Sequence, residues 1–303
     1  MAWRGVFVIS ATPFAADGSL DLESTDRLVD FYLERGVHGL TILGIMGEAP
    51  KLSHEESVTF ARRVVRRVAG AVPVIVGVSH PGLDNLLRLA RDVMDAGAAG
   101  VMVSPAMGLR TEEQVQGYLA RVAGALGPGV PLCLQDYPQA SGVYLSVETL
   151  RRLFEAFPTI EVFKHEDCPG LAKLSRVRAA ADATGRHVAI LVGNGGLYLP
   201  QELARGADGV MTGFAYPEML VGVWERFSAG DLEGAEDLFD AYLPLVRYEQ
   251  QPGFGLAVRK EILCRRGAIK SPAVRQPGPA LDAVDVKELD RLLARLERRL
   301  RGT

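Results

Sequence analysis

The sequence predicts a (β/α)8 barrel followed by a C-terminal helical region. Eight short runs rich in β-branched and apolar residues alternate with longer segments of helical pattern. Alternation of strand and helix is typical of a parallel sheet, and eight such units in roughly 215 residues fit a closed barrel better than an open sheet. The Gly-x-Gly-x-x-Gly fingerprint of an open dinucleotide-binding sheet is also missing after the first run.

The predicted strands are, in chain order, GVFVIS, GLTILG, PVIVGVS, GVMVSP, VPLCLQDY, IEVFK, HVAILVG and GVMTG. Side chains that can accept hydrogen bonds from a first helical turn stand before several of the intervening segments. They are Asp21, Ser53 with Glu56 three residues later, Thr111 with Gln114 three residues later, and Ser146.

The pattern stays helical from about residue 216 to the C-terminus. Three segments there, beginning near residues 231, 255 and 285, predict three helices that cap the barrel. We therefore expect the barrel over residues 1–226 and a helical region packed on it over residues 227–303.

Composition excludes several classes of protein. A net charge of -3 and a pI near 6.0 give no electrostatic basis for binding nucleic acid. The apolar run near the N-terminus is too short for a secretory signal, and no run of about 18 apolar residues predicts a membrane span. We expect a soluble, cytoplasmic protein.

The cysteines Cys133, Cys168 and Cys264 lie far apart without zinc or disulfide spacing, so free thiols are expected.

Lys164 ends the sixth predicted strand, and active residues of such barrels lie at the C-terminal ends of strands. Side chains alternate along a strand, so Val162 and Lys164 share the inward face and Phe163 faces the helices. An amine in apolar surroundings loses the solvation of its ammonium form, which makes the neutral nucleophile accessible for imine formation with a ketone. The alternative is a lysine that extends from the strand end to solvent.

Several short motifs, taken together, identify a family that the chain resembles. They are ATPF at 11–14, GIMGE at 44–48, VSP at 103–105, QDYPQASG at 135–142, Lys164, GN at 193–194 and GVMTG at 209–213. In combination they resemble the dihydrodipicolinate synthase and N-acetylneuraminate lyase family of class I aldolases, over essentially the whole chain. GIMGE stands in the place of that family's G-T-T-G-E, and QDYPQASG in the place of Y-N-x-P-x-x-T-G.

The resemblance implies a Schiff base between Lys164 and pyruvate or another 2-oxo acid, which needs no cofactor. It also implies a homo-oligomer, a dimer or a tetramer. The residues that it places around the substrate are Gly44, Ile45, Met46, Gly47, Gln135, Asn194 and Thr212. The carboxylate is expected on the Gly-flanked loop at 44–47, through backbone N–H groups.

The departures from the family pattern exclude its synthase activity. Gln135 replaces the strand-five tyrosine that usually moves protons, and an amide cannot do this. Ile45 and Met46 remove both hydroxyls of the G-T-T-G-E loop. Met107 and Ala140 stand where the synthases have a relay tyrosine and an arginine for the second substrate. We therefore reject dihydrodipicolinate synthase as the activity.

The candidates to replace the missing tyrosine as the acid or base are Tyr137, Asp136, His165, Glu166 and Asp167. Tyr137 shares the face of Gln135 if the fifth strand stays extended, and Glu166 shares the face of Lys164 if the sixth strand continues. A packed rim tyrosine is the alternative for Tyr137. His165 and Asp167 are expected to face away, with His165 in a structural role.

Other polar residues receive more modest assignments. Asn194, in a Gly-rich turn, is expected to contact substrate hydroxyls rather than a phosphate. Glu48 is expected to hold its own loop. No metal is expected, because the histidines show no His-x-His or His-Glu-x-x-His pattern; they are His38, His54, His80, His165 and His187.

The sequence thus predicts a lyase, an aldolase or a dehydratase, which acts on a small-molecule 2-oxo acid through Lys164. Two alternatives from other classes stay open. One is a catalytically altered barrel that binds or senses a small molecule, which the lost hydroxyls favour. The other is a hydrolase without an imine, which would use Asp136, Glu166 and Asp167 as a carboxylate cluster.

Overall fold

Eight parallel strands close into a barrel in chain order, each paired with the next and the eighth with the first. The computed structural model describes residues 3–301, so Met1 and Ala2 of the N-terminal segment considered above lie outside the described residues, as do Gly302 and Thr303. The strands are β1 (Gly5–Ile9), β2 (Gly39–Ile42), β3 (Val74–Gly77), β4 (Gly100–Val103), β5 (Leu132–Asp136), β6 (Ile160–His165), β7 (Ala189–Val192) and β8 (Gly209–Thr212). The predicted (β/α)8 barrel is confirmed.

The helices lie where the sequence pattern and the capping residues predict them. Asp21 and Ser146 accept hydrogen bonds from the first turns of their helices, and Ser53 and Thr111 form complete capping boxes. Up to the eighth strand the helices are α1 (Leu22–Leu33), α2 (His54–Val68), α3 (Leu83–Asp95), α4 (Glu112–Leu126), α5 (Pro138–Ser141), α6 (Val147–Ala156), α7 (Leu171–Asp182) and α8 (Leu199–Ala204). They are followed by α9 (Pro217–Ser228), α10 (Leu232–Glu249), α11 (Gly255–Arg265) and α12 (Ala283–Arg301).

Two apolar cores stabilise the barrel. The larger fills the layer between strands and helices. The smaller fills the inside of the barrel and consists of Trp3, Phe7, Ile9, Ile75, Met102, Cys133, Val162, Ala189, Leu191 and Met211. Because this inner core is packed solid, polar side chains can gather only above it, at the ends of the strands. The cysteines are free, as expected.

The three C-terminal helices α10, α11 and α12 are present as predicted, and α10 packs on α9 and α12. The expected division between residues 226 and 227 falls within α9, two residues before its end. From α11, Arg259 pairs with Glu249 and donates to the carbonyl of Gly213 at the end of β8. None of the helices in residues 3–301 combines the length and apolar character of a membrane-spanning helix.

Candidate active site

Lys164 lies inside the barrel mouth, one residue before the end of β6. Val162 belongs to the inner core, whereas the ring of Phe163 packs on Phe154 of α6 with centroids 5.8 Å apart. Lys164 therefore points inward, and it is 4% exposed. The prediction from strand alternation is confirmed, and the alternative of a solvated lysine is wrong.

A carboxylate stands beside this amine. Glu166 Oε1 lies 2.7 Å from Lys164 Nζ and accepts a hydrogen bond of 2.7 Å from Gln135 Nε2. Gln135 and Lys164 are paired residues in the β5–β6 ladder, so the two strands place both nitrogens toward one oxygen. The amine thus has a proton acceptor within hydrogen-bond distance, in addition to the apolar surroundings that the sequence predicted.

Backbone contacts hold Glu166 in this position. Its N–H donates to the carbonyl of Asp136 at 2.9 Å, and its own carbonyl accepts from the side-chain amide of Asn194 at 3.2 Å. Gly193, just after β7, leaves the space that the carboxylate occupies, because a Cβ there would overlap the Glu166 side chain. The strand ends β5, β6 and β7 therefore fix the carboxylate jointly.

A second carboxyl group, that of Glu202 on α8, lies close enough to Glu166 for that charge to affect its pKa, and sequence reasoning missed it. The residue is buried, and among the described residues its Oε2 has no hydrogen-bond partner. Burial and, secondly, the charge of Glu166 raise the pKa of Glu202 to about 8. The available signal was a lone glutamate on the buried side of the short helix LPQELA. The two carboxyl groups therefore differ in environment: Glu166 is paired and Glu202 is kept neutral.

Tyr137 does not continue the fifth strand as expected. The strand ends at Asp136, and Tyr137 turns away to precede the short helix α5. Its side chain is half-buried, and its backbone carbonyl accepts from Ser141 Oγ at 3.2 Å. Burial and, to a lesser extent, the charge of Glu166 raise the pKa of Tyr137. Tyr137 is thus near Glu166, while Glu166 contacts the amine directly.

Asp136, His165 and Asp167 lie outside the barrel wall. Lys173 Nζ on α7 lies 2.7 Å from Asp136 Oδ2 and 2.9 Å from Asp167 Oδ2. His165 Nε2 is 3.0 Å from the carbonyl of Gly170. The carboxylate cluster required for the hydrolase hypothesis therefore does not form, because only Glu166 faces the barrel mouth and the two aspartates are paired with a lysine.

The loop after β2 closes another side of the mouth with a short 3-10 helix, Ile45–Gly47. Among the described residues the backbone N–H groups of Ile45 and Met46 have no acceptor, as usual at the start of a helix. The carbonyl of Gly47 accepts from Thr12 Oγ1 at 2.6 Å. Met46 packs on the inner core and Ile45 is half exposed. The loop offers backbone donors but no hydroxyl, in agreement with the sequence.

Glu48, at the end of this loop, is buried among cations. Its carboxylate binds Lys260 Nζ at 2.5 Å and Lys51 Nζ at 2.9 Å, and it accepts from the backbone N–H of Arg275 at 3.0 Å. Its φ of 56° is left-handed, so the side-chain contacts hold a tight turn. The structural role that the sequence indicated is in accord with these contacts.

Asn194 and Thr212 have contacts within the β7 and β8 loops. Asn194 adopts a φ of 51° and uses its amide on the backbone of Glu166. Thr212 Oγ1 accepts from the N–H of Gly195 at 2.7 Å. Both residues line the same end of the barrel as Lys164, and their contact with substrate stays a prediction.

A cavity of about 670 Å³ opens at Gln135 and runs outward between α2 and α3. Its apolar lining includes Met102, Ile45 and the exposed Met107. Its polar lining consists of His54, Ser57, Ser79, His80, Asn85, Ser104 and Gln135. Among the described residues that line it there is no Lys, Arg, Asp or Glu. In residues 3–301 no group of three or more His, Cys, Asp or Glu side chains is arranged to hold a metal ion.

A barrel with a buried lysine at the end of β6 and a carboxylate beside it defines a Schiff-base lyase. The chain matches the model of the Dihydrodipicolinate synthetase family over residues 2–296 and belongs to that family. Members of this family are class I lyases, synthases and dehydratases, which bind pyruvate on a lysine as a Schiff base. The resemblance seen in the sequence motifs is confirmed.

Similar proteins carry more than one activity in their names. The chain is 33% identical over 300 residues to the L-2-keto-3-deoxyarabonate dehydratase of Azospirillum brasilense, covering 97% of this chain and 94% of that one. It is also 33% identical to a 4-hydroxy-tetrahydrodipicolinate synthase of Sorangium cellulosum, covering 97% and 96%. A dihydrodipicolinate synthase structure from Rhodopseudomonas palustris superimposes with a TM-score of 0.93 at 48% identity, covering 96% and 97%. YagE, an Escherichia coli prophage protein in complex with pyruvate, gives a TM-score of 0.90 at 26% identity, covering 98% and 99%.

Proposed function

We propose that this lyase is a dehydratase of 2-oxo-3-deoxy sugar acids, with Lys164 as the Schiff-base lysine and Glu166 as its acid and base. The observation that carries the proposal is the 2.7 Å contact between Glu166 Oε1 and Lys164 Nζ. It supplies a proton acceptor at the reacting amine in a site where the usual tyrosine is replaced by Gln135.

Imine formation begins with proton transfer from the Lys164 ammonium to Glu166, which frees the amine. The amine attacks the ketone carbon of the substrate, and Glu166 returns its proton to the ketone oxygen. Glu166 then takes a second proton from the nitrogen and passes it to the same oxygen, which leaves as water while the protonated imine forms. The carboxylate of the substrate is bound by the N–H groups of Ile45 and Met46 at the start of their short helix.

Elimination then takes place on the imine. Glu166 removes a proton from the methylene carbon next to the former ketone, and that electron pair forms the enamine double bond. The enamine expels the hydroxyl one carbon further along, which leaves as water with the proton from Glu166. Hydrolysis of the resulting conjugated imine releases an unsaturated 2-oxo acid and the free amine of Lys164. The net change is the loss of one water, and one carboxylate carries every proton.

The cavity beside Gln135 supports a substrate with an uncharged far end. Its described lining residues offer hydroxyl, imidazole and amide groups but no charged side chain to pair with a second carboxylate. A hydroxylated chain fits such a surface better than aspartate semialdehyde does. The dehydratase name of one relative favours the same class of substrate for this chain.

The test is incubation with L-2-keto-3-deoxyarabonate followed by product analysis and borohydride trapping. The proposal predicts loss of water, a trapped adduct on Lys164 located by peptide mass spectrometry, and neither in Lys164→Ala. Pyruvate and an aldehyde as products would instead identify an aldolase. A trapped adduct without product would favour the alternative of a binding or sensor protein, and no adduct with any 2-oxo acid would overturn the imine mechanism.

The finer expectations about assembly and location belong to the same proposal. We propose a cytoplasmic homo-oligomer, a dimer or a tetramer, because the resemblance to the family implies it. Light scattering of the purified protein gives the mass of the assembly, and cell fractionation gives its location.

A further inference from the structure

Lys173, in the first turn of α7, stands behind the active site on the outer side of the barrel wall. It is 7% exposed, and its single ammonium lies within 2.9 Å of two carboxylates, Asp136 Oδ2 and Asp167 Oδ2. Asp136 is completely buried, and among the described residues its Oδ1 has no hydrogen-bond partner. The ammonium therefore carries most of the charge compensation in this cluster.

Each of these aspartates directly follows a residue of the active site along the chain. Asp136 follows Gln135, and Asp167 follows Glu166. On the inner side of the barrel wall Gln135 donates a hydrogen bond of 2.7 Å to Glu166. On the outer side Lys173 pairs with both Asp136 and Asp167. Between these inner and outer contacts, the backbone N–H of Glu166 donates a hydrogen bond of 2.9 Å to the carbonyl of Asp136. Three links therefore connect the end of β5 to the loop after β6: a side-chain hydrogen bond, a backbone hydrogen bond and the ion pairs of Lys173.

The stability of helix α7 does not explain a lysine in its first turn. A cation in the first turn opposes the helix dipole, and the first turn of α7 has no acidic residue to offset it. The lysine side chain instead reaches back over the helix N-terminus to the strand ends. Its position is therefore unfavourable for the helix and favourable for the two loops.

We infer that Lys173 is a positioning residue, which holds the Glu166 carboxylate against the Lys164 amine by joining Asp136 to Asp167 across the strand ends. The inference rests on the proposed function, since it assigns a role through Glu166 as the base. Acid–base transfer depends on the separation of the reacting groups, and a displacement of about 1 Å can slow a reaction about 100-fold. Loss of Lys173 should therefore slow proton transfer more than it weakens substrate binding.

Pyruvate in deuterium oxide gives two separate readouts of this site. Borohydride trapping reports the equilibrium amount of imine on Lys164, and proton NMR reports the exchange of the pyruvate methyl hydrogens, which requires a base at the neighbouring carbon. We expect Lys173→Met to keep the half-saturating pyruvate concentration within about 3-fold while slowing methyl exchange by about 10- to 100-fold. Lys173→Arg, which keeps a cation with several donors, should restore most of the exchange rate.

Two further variants separate positioning from stability. Asp167→Ala cuts the link to the loop but leaves the pair between Lys173 and the buried Asp136, so it tests the link if Lys173→Met fails to fold. It should slow exchange by about 5- to 10-fold with the same amount of adduct. The matched control is Arg178→Met at the other end of the same helix, where Arg178 pairs with Asp182 and Asp208. It should lower thermal stability without changing the ratio of exchange to adduct.

Wild-type exchange in folded Lys173→Met and Asp167→Ala would overturn the inference while leaving the proposed function intact. An equal fall in adduct and exchange in Lys173→Met, matched by Arg178→Met, would also overturn it, because general destabilisation would then explain the result. No adduct in the wild type would instead overturn the proposed function, and with it this inference.

Discussion

Gln135 donates a hydrogen bond of 2.7 Å to the same Glu166 oxygen that contacts the Lys164 amine. An amide at this position cannot exchange protons, but it can fix the direction of a carboxylate that does. Although the family's tyrosine is replaced, a carboxylate therefore lies within hydrogen-bond distance of the amine. In the proposed mechanism that role passes from a side chain on β5 to Glu166, which follows β6.

The first prediction separates the two candidates for the acid and base. Glu166→Gln should slow adduct formation with a 2-oxo acid by about 100-fold or more, because the amide cannot accept the Lys164 proton. Tyr137→Phe should change this rate by less than about 3-fold, since the proposed mechanism assigns the proton transfer to Glu166, which contacts the amine directly. The measurement is the time course of borohydride-trapped mass in each variant. The opposite ranking would assign the proton transfer to Tyr137, and two wild-type rates would leave a water held by Gln135 as the candidate.

A second prediction uses the missing side chain at Gly193. Gly193→Ala should displace Glu166 and slow turnover by about 10- to 100-fold, because the added methyl overlaps the glutamate side chain. Gly117→Ala, where an added Cβ meets nothing within 4 Å, is the matched control and should keep wild-type turnover. Steady-state kinetics measure the turnover of both variants. Full activity in Gly193→Ala would show that turnover does not depend on the position of the Glu166 carboxylate.

The third prediction concerns the pH dependence of stability. Glu202 is neutral in the folded protein up to about pH 8, whereas the unfolded chain releases this proton near 4.5. The folded state therefore holds the extra proton between these values, and the free energy of unfolding falls as pH rises through that range. Glu202→Gln should match the wild type at pH 4 and be more stable by on the order of 4 kcal/mol at pH 8. Urea unfolding at several pH values measures the difference, and a constant difference would contradict the assignment.

A fourth prediction is the absence of synthase activity. Pyruvate with aspartate semialdehyde should turn over at least about 100-fold more slowly than in a true synthase, because the positioned acid and carboxylate contacts are missing. Gln135, Met107 and Ala140 occupy the places of those groups. A coupled assay of both substrates, with a synthase as reference, tests this expectation. Efficient condensation would mean that other residues bind the second substrate.

The sequence was sufficient to predict which way a side chain points wherever the strict alternation of a strand controls that direction. Alternation along β6 placed Lys164 and Glu166 inside and Phe163 outside, and the capping residues marked the helix starts. Alternation could not be applied to Tyr137 in the same way, because β5 ends at Asp136 and Tyr137 is the N-cap of the short helix α5. Glu202 and Lys173 escaped prediction for a different reason. Each is a helical residue whose environment depends on how its helix packs on the barrel, and no local sequence pattern encodes that packing.

The attachment of Glu48 has a consequence for how the site comes into being during synthesis of the chain. The carboxylate in the loop after β2 finds its ammonium partner in Lys260 and a further donor in Arg275, both far beyond the eighth strand. A nascent chain that has completed the barrel can pair the Glu48 carboxylate with Lys51 of the same loop, but it lacks the buried ammonium of Lys260 and the backbone donor of Arg275. The loop after β2 therefore gains its full set of contacts only when the last part of the chain has left the ribosome, and a gene shortened after the barrel helices would encode a loop held by Lys51 alone.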